Sequence, residues 1–95
     1  MAETEKPIRE DSYYHGRVQG VGFRDTTRRI AKGYPVTGFV ENMPDGTVRL
    51  VVEGQRDRVT AFLKELATTM RKNIEHVETD EQPATGEFKD FSIRR

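Results

Sequence analysis

The stretch from Val36 to Glu53, VTGFVENMPDGTVRLVVE, carries apolar residues at alternating positions on both sides of Met43-Pro44-Asp45-Gly46. Alternation is the spacing of a half-buried strand, and this turn chemistry joins antiparallel strands. The segment therefore reads as a hairpin with arms Val36 to Asn42 and Thr47 to Glu53. Val48, Leu50 and Val52 share one face of the second arm; Val36, Gly38 and Val40 share one face of the first, and Asn42 continues it. If those faces meet helices, Phe39 and Val51 lie on the opposite, more open face.

The flanking segments supply the helices. After Gly54, the residues Val59, Phe62, Leu63, Leu66 and Met70 recur at helical spacing, which predicts an amphipathic helix over Gln55 to Arg71. Before the hairpin, Phe23, Thr27, Ile30 and Ala31 share a helical face over Phe23 to Ala31. Asp25 lies in its first turn, where the helix dipole favours negative charge, and Pro35 forbids continuation. Tyr13 to Val18 suits a strand, and Ile74 to Glu81 and Lys89 to Arg94 supply two short ones, separated by Gln82-Pro83-Ala84-Thr85-Gly86. The expectation is an α+β fold, a ferredoxin-like βαββαβ sandwich with an antiparallel sheet and both helices on one face. That architecture hosts many unrelated activities, so function has to be read from a site.

With 95 residues the chain makes one small domain, expected over residues 13–95. Residues 1–12, MAETEKPIREDS, read as a flexible polar leader that is neither a signal peptide nor a membrane span. A cytoplasmic protein, acting as a monomer and not on membranes, is the expectation. Sixteen basic and sixteen acidic residues cancel, leaving no general attraction for nucleic acid, so any anion site has to be local. The absence of cysteine excludes disulfides, thiolate nucleophiles and cysteine-ligated metals. Only His15 and His76 are available as imidazoles, and no metal site and no cofactor are expected.

The local anion site is sought in His15-Gly16-Arg17-Val18-Gln19-Gly20-Val21-Gly22-Phe23-Arg24. A nucleotide P-loop needs a Lys-Ser or Lys-Thr that is missing here, and a dinucleotide fingerprint meets Asp25 where its third glycine belongs. What remains is a strand, a loop that glycines open, and a helix N-terminus. Such a loop presents several backbone N–H groups to one point and suits a small tetrahedral anion. Arg24 in the first turn adds a guanidinium fork that matches two phosphate oxygens.

Two spaced stretches, GRVQGVGFR and GFVENMPDGTV, resemble the acylphosphatase family, small enzymes that hydrolyse carboxyl-phosphate anhydrides. Gly16, Val18, Gln19, Gly20, Val21, Phe23 and Arg24 match its first motif; Gly38, Val40, Asn42, Asp45, Gly46, Thr47 and Val48 match its second. Glu53-Gly54 and Phe91-Ser92-Ile93-Arg94 also sit where the family has similar residues, and Gly22 occupies a position the family does not fix. The resemblance implies that the backbone of Gly16, Arg17, Val18, Gln19, Gly20 and Val21, together with Arg24, binds phosphate. It implies that Asn42 orients the attacking water and that Thr47 hydrogen-bonds Asn42 from behind, on a small acyl phosphate as substrate. Asp25 departs from the bulky or basic residue often found after the family's arginine, and its place on the helix directs it away from the phosphate.

The chemistry asks for little more. A carboxylate leaving group, with a conjugate-acid pKa of roughly 4, departs without a general acid. The loose transition state of phosphoryl transfer spreads charge over three oxygens, which an arginine and a ring of amides can stabilise. Arg17 reads as an exposed loop residue, His15 as an edge or surface residue, and the Val59 to Met70 stripe as core. Two other functions fit the fold. An RNA-binding module expects paired aromatics on the central strands, where Phe39 stands alone beside Val51, and a phosphate sensor would share the loop but lack turnover. The C-terminal arginines Arg94 and Arg95 bear on the loop if the last strand closes over it.

Overall fold

The computed structural model describes residues 6–95. Five strands and two helices follow one another as β1 (Ile8–Gly16), α1 (Phe23–Ala31), β2 (Thr37–Asn42), β3 (Val48–Gly54), α2 (Arg56–Thr69), β4 (Ile74–Pro83) and β5 (Phe91–Arg94). They form one sheet in the order β4-β1-β3-β2-β5. The β1–β3, β1–β4 and β2–β3 pairs are antiparallel. The sheet is nevertheless mixed rather than wholly antiparallel, because β5 pairs in parallel with β2, Val40 opposite Ile93 and Glu41 opposite Arg94.

The hairpin forms as its alternation requires. Val40 lies opposite Leu50 and Asn42 opposite Val48. Val40, Val48, Leu50 and Val52 are fully buried and join Val59, Phe62 and Leu66 of α2 and Phe23, Ile30 and Ala31 of α1 in one core between the sheet and the helices. Burial of each such side chain is worth about 1.5–3 kcal/mol, which is why the stripe on α2 locates that helix to within two residues at each end. Gly38 sits in this hairpin at φ +141°, and a Cβ there would run into the backbone carbonyl of Val51. Only glycine lets β2 and β3 approach so closely.

Two expectations are corrected. The first strand starts at Ile8, so residues 8–12 belong to the sheet, and the leader is at most the residues before it; residues 1–5 lie outside the described part. Ile8, Ser12 and Tyr14 face the helices, while Arg9, Asp11 and Tyr13 alternate onto the opposite face and find partners there. Arg49 Nε and Nη2 donate to the two Asp11 carboxylate oxygens at 3.0 and 2.8 Å, and Arg9 lies 3.3 Å from Glu87 and 3.8 Å from Glu53. The charged residues that looked like a frayed leader are one side of a polar sheet face.

The second correction concerns that face, which is covered at its centre. Phe39 is 3 % exposed and Val51 is fully buried. Arg94 stacks on the Phe39 ring at 3.6 Å and Phe88 packs against it edge-on at 5.7 Å. The segment after β4 is held down by Glu53, whose carboxylate accepts from Thr85 N–H, Thr85 hydroxyl and Gly86 N–H at 2.8–2.9 Å. No stacking platform for bases is left around Phe39.

These carboxylates set an acid limit. Hydrogen bonds from Arg49 hold the Asp11 carboxyl below its ordinary range. Burial pushes Glu53 up, but the Thr85 and Gly86 hydrogen bonds together pull it further down. For both groups the folded pKa is the lower one, so their stabilisation is complete above the unfolded values of about 4 and is lost as pH falls through the folded values. The melting temperature is expected to stay level from pH 7 to about 5 and to fall below about pH 4, with part of the fall removed by Asp11→Asn. Gly38→Ala should lower the midpoint by more than about 10 °C, since overpacking against backbone adds to strain at positive φ; a smaller effect contradicts the close approach of β2 and β3.

Candidate active site

β1 leaves the sheet where its ladder to β4 breaks. The register shifts between His15 and Gly16, and the Arg17 N–H donates to Asn73 O at 2.9 Å. Val18 and Phe23, each 1 % exposed, then plug into the core, Phe23 packing its ring 5.2 Å from that of Tyr14. Between these two anchors Gln19-Gly20-Val21-Gly22 arches outward, and Val21 is exposed. Gly22 ends the arch at φ +78° as the residue before α1, a left-handed conformation that admits the turn from loop into helix.

The N–H groups from Val18 to Gly22 are donated to no protein acceptor among the described residues. That of Arg17 is committed to Asn73, so of the expected amide set it is Val18, Gln19, Gly20 and Val21 that keep free donors. The first helical bond, Thr26 N–H to Gly22 O, leaves the N-terminus of α1 open toward the same side. A cavity of about 150 Å³ lies there, lined by Val18, Gly20, Gly22, Phe23, Arg24, Asp25, Asn42, Ile93 and Arg95. Arg24 and Asn42, predicted from separate stretches, line the same cavity.

Each side chain has a definable hold. Arg24 Nη1 donates to Arg94 O at 3.3 Å, so the end of β5 braces the guanidinium from one side. Asn42 stands at the end of β2 on the helix-facing side, and its Oδ1 is buried with no hydrogen-bond partner. Gln19 reaches across to the β2–β3 turn, where its Nε2 donates to Met43 O and Thr47 O, both at 2.8 Å. The side chain of Gln19 thus ties the loop to the hairpin, a role that the expected use of its backbone alone misses. Its amide, one donor group with two hydrogens, was the signal available.

Thr47 does not do what was expected of it. Its hydroxyl and its N–H both donate to Asp45 Oδ1, at 2.7 and 3.0 Å, and leave Asn42 alone. The carboxylate two residues away is a charged acceptor within the same turn, and those hydrogen bonds hold Asp45 below its ordinary pKa. Thr47 therefore shapes the turn, together with the Met43 N–H bond to Thr47 O at 2.9 Å. Asp25, expected to point elsewhere, is part of the cavity rim. Ile93 and Arg95 complete the lining, as a last strand closing beside the loop requires. Arg17 is exposed, and no helix among the described residues is long and apolar enough to cross a membrane.

An anion-sized cavity with amide donors, an arginine and an unpartnered asparagine is a specific arrangement, and known proteins share its frame. The acylphosphatase family profile matches residues 11–93. An acylphosphatase from Salinibacter ruber is 40 % identical over 94 residues, covering 98 % of this chain and 99 % of its own. One from Rubrobacter xylanophilus is 41 % identical over 95 residues, covering 99 % and 86 %. Among solved structures, the acylphosphatase from Bacillus subtilis superposes with a TM-score of 0.82 at 25 % identity, over 93 % of this chain and 99 % of that one. With the profile spanning both strand-borne motifs and the identity extending over nearly the whole length, the chain belongs to the acylphosphatase family.

Proposed function

We propose that this acylphosphatase holds the phosphoryl group of a small acyl phosphate in the loop that follows β1 and hydrolyses it by direct, metal-free attack of water. The observation that carries this reading is the convergence on one small cavity of free loop amides, Arg24 and the unpartnered Asn42 Oδ1. The amides from Val18 to Val21, with Gly16 setting the exit from β1, cradle the phosphate oxygens. Arg24 pairs with two of them as a fork, and the N-terminus of α1 adds its dipole.

Asn42 accepts a hydrogen from the attacking water and aims its lone pair at phosphorus, in line with the leaving carboxylate. An uncharged amide does this without repelling the phosphate dianion. The water's proton passes to a phosphate oxygen, and the carboxylate leaves unprotonated because its conjugate acid is already strong. Charge that develops on the equatorial oxygens meets donors fixed before the reaction starts, which is where most of the rate acceleration arises. The cavity, about 150 Å³ against about 30 Å³ for one water in the liquid, has room for one phosphoryl group with its nucleophile. The same reading makes the protein a cytoplasmic monomer that needs neither nucleic acid nor membrane.

Loss of benzoyl phosphate, followed without added metal, tests the proposal. Arg24→Gln should cut kcat/KM by about 10³-fold or more, and Asn42→Ala should cut kcat by about 10²–10³-fold. Asn42→Ala should not lower the melting temperature, because the buried Oδ1 has no protein partner to lose; a folded Asn42→Ala protein with full turnover would remove Asn42 from the mechanism. Inorganic phosphate should inhibit competitively, and Arg24→Gln should abolish the inhibition.

Gln19→Leu removes both side-chain hydrogen bonds from the loop to the turn, while Met43 O and Thr47 O keep their backbone donors, Gly46 N–H and Met43 N–H. A loss of about 1–3 kcal/mol of stability and a fall in turnover with Arg24 and Asn42 both intact are expected. Full activity in Gln19→Leu would mean that the loop holds its place without the hairpin.

A further inference from the structure

The two imidazoles of the chain, remote in sequence, meet on the edge of the sheet. His15, the last residue of β1 before the register shift, lies opposite His76 on β4. Their rings stack at 4.0 Å between centroids and 12° between planes. Glu78, two residues along β4 and so on the same face, accepts a hydrogen bond at 2.9 Å from His15 Nε2. One donor atom from each of His15, His76 and Glu78 lies within 4.8 Å of the other two. With only two imidazoles in the chain no metal site is expected from the sequence; the pairing of β1 with β4 brings both of them, and a carboxylate, to one point.

The geometry points to a divalent transition-metal site at His15, His76 and Glu78, with zinc as the ion it suits best. Two imidazoles and one carboxylate form a borderline-soft donor set that favours zinc over magnesium or calcium. Ligands at about 2.0–2.1 Å in a tetrahedron stand about 3.3 Å apart, close to the His15–Glu78 separation already present. His76 is exposed, so its ring can rotate out of the stack by the remaining ångström or so without disturbing the core. The fourth position faces water. Asp80, exposed on the same face of β4, adds negative charge along the approach.

None of the three ligands lines the phosphate cavity, so the ion takes no part in the chemistry proposed above. Its place is structural. It would cross-link β1 to β4 at the point where β1 releases the loop, and a ligand that binds the folded chain alone raises its stability.

Calorimetric titration of untagged, metal-stripped protein with zinc chloride alone tests the site. One ion should bind per chain in the micromolar range and raise the melting temperature by several degrees. Magnesium at the same concentration should leave the midpoint unchanged. His76→Ala and Glu78→Gln should each weaken zinc binding at least tenfold while keeping the metal-free midpoint and the metal-free hydrolysis of benzoyl phosphate. With only two histidines in the chain, zinc should shift the ring-proton NMR signals of both in one saturable step. No measurable binding at 10-fold excess over about 100 µM protein, unshifted ring signals, equal response to magnesium, or zinc binding that survives both substitutions overturns the proposal.

Discussion

The site depends on a gap that the chain has to cross. β1 delivers the loop and β2 delivers Asn42, yet β3 lies between them in the sheet. Two strand spacings, about 10 Å, therefore separate the two halves of the site. The loop after β1 passes over the start of β3, whose Val48 stands opposite both Tyr14 of β1 and Asn42 of β2. Gln19 fastens it halfway, on the carbonyls of Met43 and Thr47 that flank this crossing point. Only then can α1 start above β2 and β5 with Arg24 and Asn42 lining one cavity. The starting point is equally constrained, because β1 is paired along both edges, and a slip of one residue would exchange Ser12 and Tyr14 for Asp11 and Tyr13 against the helices.

The parts of this arrangement that were legible in the sequence are those with a local period or a local turn. The stripe from Val59 to Met70 and the two arms around Pro44-Asp45-Gly46 need only neighbours within a turn or two to declare themselves. The start of β1 was illegible because Arg9 and Asp11 look like solvent-loving residues until Arg49, Glu53 and Glu87 are brought beside them from elsewhere. The parallel seat of β5 on β2 has no local signature either, and with it went the burial of Phe39 beneath Arg94. Arg24 and Asn42 were legible through motif resemblance, but the partners of Gln19 and Thr47 were not. A side chain's choice among acceptors depends on distances that the sequence does not contain, and in the folded turn it is Asp45 that stands within hydrogen-bond reach of the Thr47 hydroxyl.

Stability and chemistry occupy different parts of this small domain. The fully buried residues, from Val40 and Leu50 to Phe62 and Leu66, lie between sheet and helices. The cavity lies at the end of the strands, and Val18 and Phe23 separate it from that core by filling the space beneath the loop. Residues Gln19 to Gly22 can then present their backbone outward without exposing apolar interior. A free N–H in the loop costs little there, because it faces solvent or anion and not the core.

Asn42 is the exception, and its position explains the design of the site. Its Oδ1 is buried and finds no protein donor, a condition that costs of order 1–3 kcal/mol in an interior. The neighbouring groups could have relieved it: Thr47 has a hydroxyl, Gln19 an amide, Arg24 a guanidinium. Thr47 is instead committed to Asp45 and Gln19 to the turn carbonyls, while Arg24 gives one of its N–H groups to Arg94 O. The hydrogen bonds that order the turn thus use the Thr47 hydroxyl and the Gln19 amide, and neither reaches Asn42 Oδ1. An acceptor held unpaired in this way gains most from a donor placed beside it, and that is the place the proposed mechanism gives to the attacking water.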